Sequence, residues 1–272
     1  MGNQLELTLV VENNSDDPNL SAEHALAIWI DYNDHSYLFD TGQGEVLTAN
    51  LDQLDLVVDD LDGVFVSHGH FDHAGGLAAI IKQQQAVPVY AHRDIWLDKY
   101  SVKREGLVWR GFELELEEMS NFKAVTELTE IEANLWLTGE VPRQNEMELL
   151  DENYQLEVNE QLEIDKFRDD QTLILDTSKG LVILLGCSHV GVINILKYIE
   201  QKFTANIQAI IGGMHLVNAE QDRIEWTINQ LAKIDWELLI PLHCTGQRAV
   251  EQMKDVFGDR VKVKSVGESI KI

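Results

Sequence analysis

Ser67-His68-Gly69-His70-Phe71-Asp72-His73-Ala74-Gly75-Gly76 decides how the rest of the chain is read. It places four potential metal ligands, His68, His70, Asp72 and His73, directly after the apolar run Gly63-Val64-Phe65-Val66. A short run rich in Val and Phe and closed by Gly reads as a buried strand. Side chains two apart on extended backbone share one side, so His68 and His70 can reach one ion while Gly69 admits a close backbone neighbour. Asp72 and His73, one bend later, face a second position. Imidazole and carboxylate at this density suit zinc, with Mn, Fe or another divalent ion as further options. A polar turn with Asp72 as a helix N-cap is the plainer alternative. It accounts for one histidine at a strand end, not for three with an aspartate.

Outward from this motif the chain alternates strand and turn. Leu5 to Val11, Leu26 to Tyr32 and Tyr37 to Asp40 read as strands, the last two joined across Asn33-Asp34-His35. Val46 to Leu54 and Leu77 to Gln84 read as helices, with a short strand from Val87 to Ala91. The alternation Phe112-Glu113-Leu114-Glu115-Leu116-Glu117 suggests a half-exposed strand, and the acidic stretch Gln144 to Asp170 an irregular loop or lid. From Thr172 one grammar repeats: apolar strand, turn bearing Gly and His, amphipathic helix, with Val261 to Val266 expected as a final strand. That is α/β architecture with its chemistry at strand ends. The sequence predicts a single domain over 1–272, with a lid or insertion around 93–170.

Composition bounds the partners. The 272 residues carry 47 acidic and 21 basic side chains, a formal charge of -26 that repels phosphate backbones and anionic lipid. A small-molecule substrate is therefore expected, with no nucleic acid and no membrane as partner. A small anion stays compatible, because a metal reverses the local field. No apolar run approaches the roughly 20 residues of a membrane span, and the first residues lack signal-peptide features, so a cytoplasmic location is expected. Cys187 and Cys244 make no disulfide framework. Each sits beside a strand-end His, where packing, pocket lining and a disulfide all compete; packing is the preferred reading.

Of nine histidines, six follow apolar strands at turns: His68, His70, His73, His189, His215 and His243. Scattered packing histidines would not distribute so. Two ions about 3.5–4 Å apart can share and activate a hydroxide. Asp72 is the candidate catalytic carboxylate, binding an ion and orienting the nucleophile. Asp40, ending a neighbouring strand, either orients a ligating imidazole or caps the Thr41-Gly42 turn. Glu140 and Arg143 are candidates to support the site or contact substrate, Arg143 through a bidentate anion contact or an ordinary salt bridge.

His68-Gly69-His70-Phe71-Asp72-His73 resembles the hallmark motif of the metallo-β-lactamase superfamily, and the order of later His-bearing strand ends is similar too. Within it, one subgroup is resembled over nearly the whole chain. The resemblance runs through Glu23-His24, Leu38-Phe39-Asp40-Thr41-Gly42-Gln43 and Thr138-Gly139-Glu140-Val141-Pro142-Arg143. It continues through Gly186-Cys187-Ser188-His189, Gly212-Gly213-Met214-His215 and Pro241-Leu242-His243-Cys244-Thr245-Gly246. That subgroup includes dihydropterin-ribofuranosylaminobenzene phosphate synthases and metal-dependent hydrolases. The resemblance implies a four-layer αβ/βα sandwich. It also implies His68, His70 and His189 at one ion and Asp72, His73 and His243 at another. The superfamily's bridging aspartate is expected where this chain has Gly212-Gly213-Met214-His215, so His215 either replaces it as a ligand or meets substrate. The missing carboxylate leaves the site more positive and favours an anionic substrate. The expected function is hydrolysis of a small, phosphorylated ester by metal-activated hydroxide, with one or two zinc or related ions. Alternatives are the synthase-type transfer and a non-enzymatic metal-binding sensor.

Overall fold

The computed structural model describes residues 5–114, 116 and 119–272. The chain resolves into two compact units. Unit 1 comprises 1–126, 151–169 and 265–272; unit 2 comprises 127–150 and 170–264. Among the described residues no helix is long and apolar enough to cross a membrane.

Unit 1 is built on a seven-stranded sheet. Its strands run in the order Ser269–Lys271, Leu5–Val11, Ala27–Tyr32, His35–Phe39, Leu61–Phe65, Val89–Ala91 and Phe122–Ala124. The first three neighbouring pairs are antiparallel and the rest parallel. The hairpin turn at Asn33 and Asp34 has φ of 53° and 65°, the left-handed pair that matches strand twist in a two-residue turn. Leu47, Leu51, Leu77 and Ile80, from the helices Leu47–Gln53 and Leu77–Gln83, join Leu38, Val64 and Val89 in one buried core. A second sheet of unit 1 orders Gln161–Ile164, Tyr154–Val158, Lys99–Lys103 and Gly106–Trp109.

Unit 2 holds a six-stranded sheet in the order Trp236–Pro241, Ile207–Gly212, Gly180–Leu185, Thr172–Thr177, Leu135–Leu137 and Thr129–Glu132. The first three strands are mutually parallel. That arrangement requires crossovers, supplied by the helices Val192–Lys202 and Gln221–Leu231; Gln247–Phe257 follows the Trp236–Pro241 strand. The three strands feeding helices therefore end on one side of the sheet, each in a Gly-bearing turn.

Three sequence expectations change. The acidic stretch Gln144–Asp170 contains a regular hairpin, Tyr154–Val158 with Gln161–Ile164, turning at Asn159 and Glu160 with φ of 51° and 63°. Tyr154, Leu156 and Val158 alternate with Gln155 and Glu157, as Leu162 and Ile164 do with Gln161 and Glu163, but no residue of either strand is fully buried. Phe112, Glu113 and Leu114 lie outside any strand; Phe112 packs its ring on Trp96 instead, centroids 5.3 Å apart. Glu115 and Glu117 of that alternation lie outside the described residues. Val261 makes only an isolated bridge to Leu239, because Val263 faces solvent. The last strand is Ser269–Lys271, which pairs with Leu5–Val11.

Candidate metal centre

In unit 1 the strand Leu61–Phe65 runs straight into Ser67 and His68, and a single turn of helix, Phe71–Ala74, carries Asp72 and His73. His68, His70, Asp72 and His73 are all buried. His68 Nε2 and His70 Nδ1 approach to 3.0 Å. Two imidazole nitrogens on a tetrahedral zinc stand about 3.3 Å apart, so this pair needs little movement to share an ion. A Cβ on Gly69 would lie 2.4 Å from the Ile95 carbonyl oxygen. The absent side chain is what lets the turn lie against that backbone.

Asp40 organises the turn from the neighbouring strand end. Its carboxylate meets His73 Nδ1 at 2.6 Å and accepts from the Ser67 amide at 2.7 Å and the Ser67 hydroxyl at 2.8 Å. Holding Nδ1 as the protonated nitrogen leaves Nε2 of His73 as a lone-pair donor, the usual way an oriented imidazole is prepared for a metal. The Ser67 hydroxyl also lies 2.9 Å from His68 Nδ1. Of the two sequence readings of Asp40, the structure shows the imidazole contact, made from a left-handed backbone with φ of 60°.

Behind His70 lies a buried ionic group. Lys99 Nζ donates to Asp165 and Asp169, each at 3.0 Å, and the other oxygen of Asp169 accepts from the Gly69 amide at 2.9 Å. Burial opposes the charge on Lys99, yet Asp169 and Asp165 push it up to about 12. With two carboxylates for one ammonium, burial raises the Asp165 carboxyl, Lys99 opposing and Asp169 adding to the rise. The His70 ring stacks on Tyr154 at 5.4 Å and meets Phe167 edge-on at 5.9 Å. Burial pushes its pKa down to about 3, against the pull of Asp72. His70 is thus neutral at ordinary pH, the form that binds metal. Asp72 lies 3.8 Å from the exposed His24 imidazole.

Unit 2 delivers its donors one strand at a time. His189 follows Gly180–Leu185, His215 follows Ile207–Gly212, and His243 follows Trp236–Pro241. His189 and His243 are buried and His215 half-buried. Ser188, His215 and His243 have φ of 60°, 48° and 48°, a left-handed conformation costing an ordinary residue about 1–2 kcal/mol. Strain gathered at consecutive strand ends marks a place where direction matters more than stability. The His189 and His215 rings lie 4.2 Å apart between centroids. Donor atoms of Cys187, His215 and Cys244 all fall within 4.8 Å of one another, and both sulfurs are buried thiols, not a disulfide. Burial alone would raise the Cys244 thiol, but Cys187, His243 and His215 together hold it well below its usual range.

Arg143 contacts backbone. Its guanidinium donates to the carbonyls of His189 at 2.9 Å, Val190 at 3.2 Å and Glu148 at 2.9 Å. Glu140 is exposed. Sequence reading missed Glu148, whose buried carboxylate accepts from the Ile193 and Asn194 amides at 2.8 and 2.7 Å. It thereby satisfies the first turn of the helix Val192–Lys202. A Cβ on Gly191, where φ is 101°, would fall 2.2 Å from that carboxyl carbon. Lys99, Asp169 and Asp170, which binds the Val190 amide at 2.8 Å, were missed too. The one available signal was the Asp169-Asp170 pair standing directly before an apolar strand.

In each unit the donor chemistry fits a divalent ion: imidazoles and a carboxylate in unit 1, imidazoles and thiols in unit 2. The comparisons agree. A model described as the metallo-β-lactamase superfamily matches residues 21–192. A solved metal-dependent hydrolase of the β-lactamase superfamily superposes with a TM-score of 0.87 at 30% identity, over 98% of this chain and 99% of that one. An uncharacterised protein of Methanocaldococcus jannaschii is 31% identical over 240 residues, 86% of this chain and 89% of its own. From the same organism, 7,8-dihydropterin-6-methyl-4-(β-D-ribofuranosyl)-aminobenzene-5'-phosphate synthase is 27% identical over 92% of this chain and 90% of its own. With its α/β fold and its histidine turn, the chain belongs to the metallo-β-lactamase superfamily.

Proposed function

We propose that this protein is a metal-dependent hydrolase of a small, phosphorylated ester. The observation that carries the reading is the prepared histidine turn, with the His68 and His70 nitrogens 3.0 Å apart and His73 fixed through Nδ1 by Asp40. The ligands assigned in this proposal are His68, His70 and His189 for one ion and Asp72, His73 and His243 for a second, zinc being the first choice of metal. When bound, such ions act as Lewis acids and lower the pKa of a water.

The chain's own groups do the remaining work. Asp40 keeps the His73 proton on Nδ1, and Asp169 pins the Gly69 amide between the first two histidines. Asp72 offers a carboxylate to orient a water and take its proton, with His24 near enough to share that charge. The similarity to a solved metal-dependent hydrolase supports this reaction class. The phosphorylated class is favoured by the relative whose named product carries a 5'-phosphate.

That relative also favours a second reading, a synthase-type transfer onto a phosphorylated ribosyl-aminobenzene. Phosphomonoester, phosphodiester and lactone panels, run beside a pterin-coupling assay, separate the two. Hydrolysis that is metal-dependent and lost in His70→Ala together with bound metal is the expected result. Full activity in metal-depleted His70→Ala protein, or pterin-dependent product with no hydrolysis, overturns the hydrolase.

A further inference from the structure

We propose that Cys187, His215 and Cys244 form a thiol-rich site that binds a soft divalent ion, zinc above all, through both sulfurs and one imidazole. The site stands on unit 2 alone and does not depend on the hydrolase reading. Its donors come from the ends of three neighbouring parallel strands, Gly180–Leu185, Ile207–Gly212 and Trp236–Pro241. All three donor atoms lie within 4.8 Å of one another. On a tetrahedral zinc, with bonds near 2.0–2.3 Å, donors stand about 3.3–3.8 Å apart. The cluster therefore closes on an ion by side-chain adjustments of about 1 Å, without moving a strand.

Two backbone features are spent on this convergence. His215 is held left-handed, at φ 48°, which a residue filling space would not need. Gly213 stands where a Cβ would lie 2.7 Å from Cys244 Sγ, so the missing side chain leaves the sulfur its place. The Gly213 amide donates to the Gly186 carbonyl at 3.0 Å and ties two of the three turns together. Cys244 Sγ meets the Cys187 carbonyl oxygen at 3.4 Å, a weak contact that a metal bond would replace.

The chemistry balances simply. Each S–H bond gives way to an S–metal bond, and the thiol protons leave to solvent, so uptake of metal releases acid. Two thiolates also supply the negative charge that the Gly212-Gly213-Met214-His215 strand end lacks. Three protein donors leave the fourth tetrahedral position open, the pattern of a reactive site and not of a closed structural one. An oxygen anion or water would fill it.

The test is to load the metal-stripped full chain with Co(II) and record its near-ultraviolet spectrum. The expected result is a thiolate-to-cobalt charge-transfer band that survives in His70→Ala and disappears in Cys187→Ser/Cys244→Ser. Wild-type protein loaded with zinc should in parallel show both thiols protected from an aromatic disulfide reagent, at least tenfold slower than metal-free protein. These wild-type readings need no variant to fold. Cobalt-loaded wild type with no such band, or thiols equally reactive with and without zinc, overturns the site; so does isolation of the pair as a disulfide that no metal replaces. Ester hydrolysis is scored on the same samples. A band without hydrolysis keeps this site and sinks the hydrolase, and hydrolysis without a band does the reverse.

Discussion

His68, His70 and His73 of unit 1 arrive together on one turn, and side-chain carboxylates hold it: Asp40 on His73, Asp169 on the Gly69 amide. The histidines of unit 2 arrive singly from three strands, and the chain there is held through its backbone. Arg143 gathers the His189 and Val190 carbonyls, while Glu148 and Asp170 gather the amides that follow. The difference follows from topology. A dense motif on one turn fixes its ligands' spacing by sequence, so what remains to be set is ring orientation and tautomer, and side-chain contacts set those. Ligands on separate strands have their spacing set by sheet register, so what remains is the path of each connecting turn. Backbone clamps and left-handed residues set that.

The largest loss is expected at Lys99. Lys99→Met keeps the length of the side chain and removes its charge, leaving Asp165 and Asp169 buried with no cation. Removing one partner of a buried ion pair costs about 3–5 kcal/mol. Urea unfolding of metal-free protein should show that loss. A loss below about 1 kcal/mol would mean that the carboxylates simply take up protons and the brace behind His70 is not ionic.

Glu148→Gln probes unit 2 in the same way and should cost less, about 1.5–3 kcal/mol, the range for hydrogen bonds to a charged group. The amide can accept from only one of the Ile193 and Asn194 amides, and Arg223, 3.2 Å away, loses its counter-charge. Hydrogen exchange gives the sharper reading. Amides at the start of the helix Val192–Lys202 should exchange faster, while those of the Leu61–Phe65 strand keep their protection. Equal acceleration in both places would contradict the separate bracing of the two units.

Much of this was legible in the sequence, and the reason is periodicity. Strands such as Thr172–Thr177 and helices such as Val192–Lys202 bury enough of one pattern to declare themselves, and the six strand-end histidines stood out because each followed such a strand. The hairpin Tyr154–Val158/Gln161–Ile164 did not, because its alternations run for only five and four residues inside a strongly acidic stretch and neither strand buries a face. Lys99 could not be paired with Asp165 and Asp169 across 66 and 70 residues of chain. The cysteines illustrate the same limit: Cys187 and Cys244 read as packing residues singly, and only the sheet brings them to His215.

Asp40→Asn tests the most local element of the contrast, the tautomer. Asn tolerates the left-handed backbone that Asp40 occupies at φ 60° better than other ordinary residues. The turn should therefore keep its path, and the Asn oxygen can still accept from the Ser67 amide. The amide nitrogen then faces His73 Nδ1 and donates to it, which drives the imidazole proton to Nε2 and removes the lone pair a metal needs. Loss of an orienting partner typically costs 10–100-fold in metal affinity, with little change in unfolding free energy by comparison. Competition titration with a chelator measures the first, and urea unfolding of the metal-free protein the second. Unchanged affinity would show that Asp40 shapes the turn and does not set the tautomer. Affinity and stability falling together, with the Ser67 amide exchanging freely, would assign Asp40 to the backbone clamps that typify unit 2.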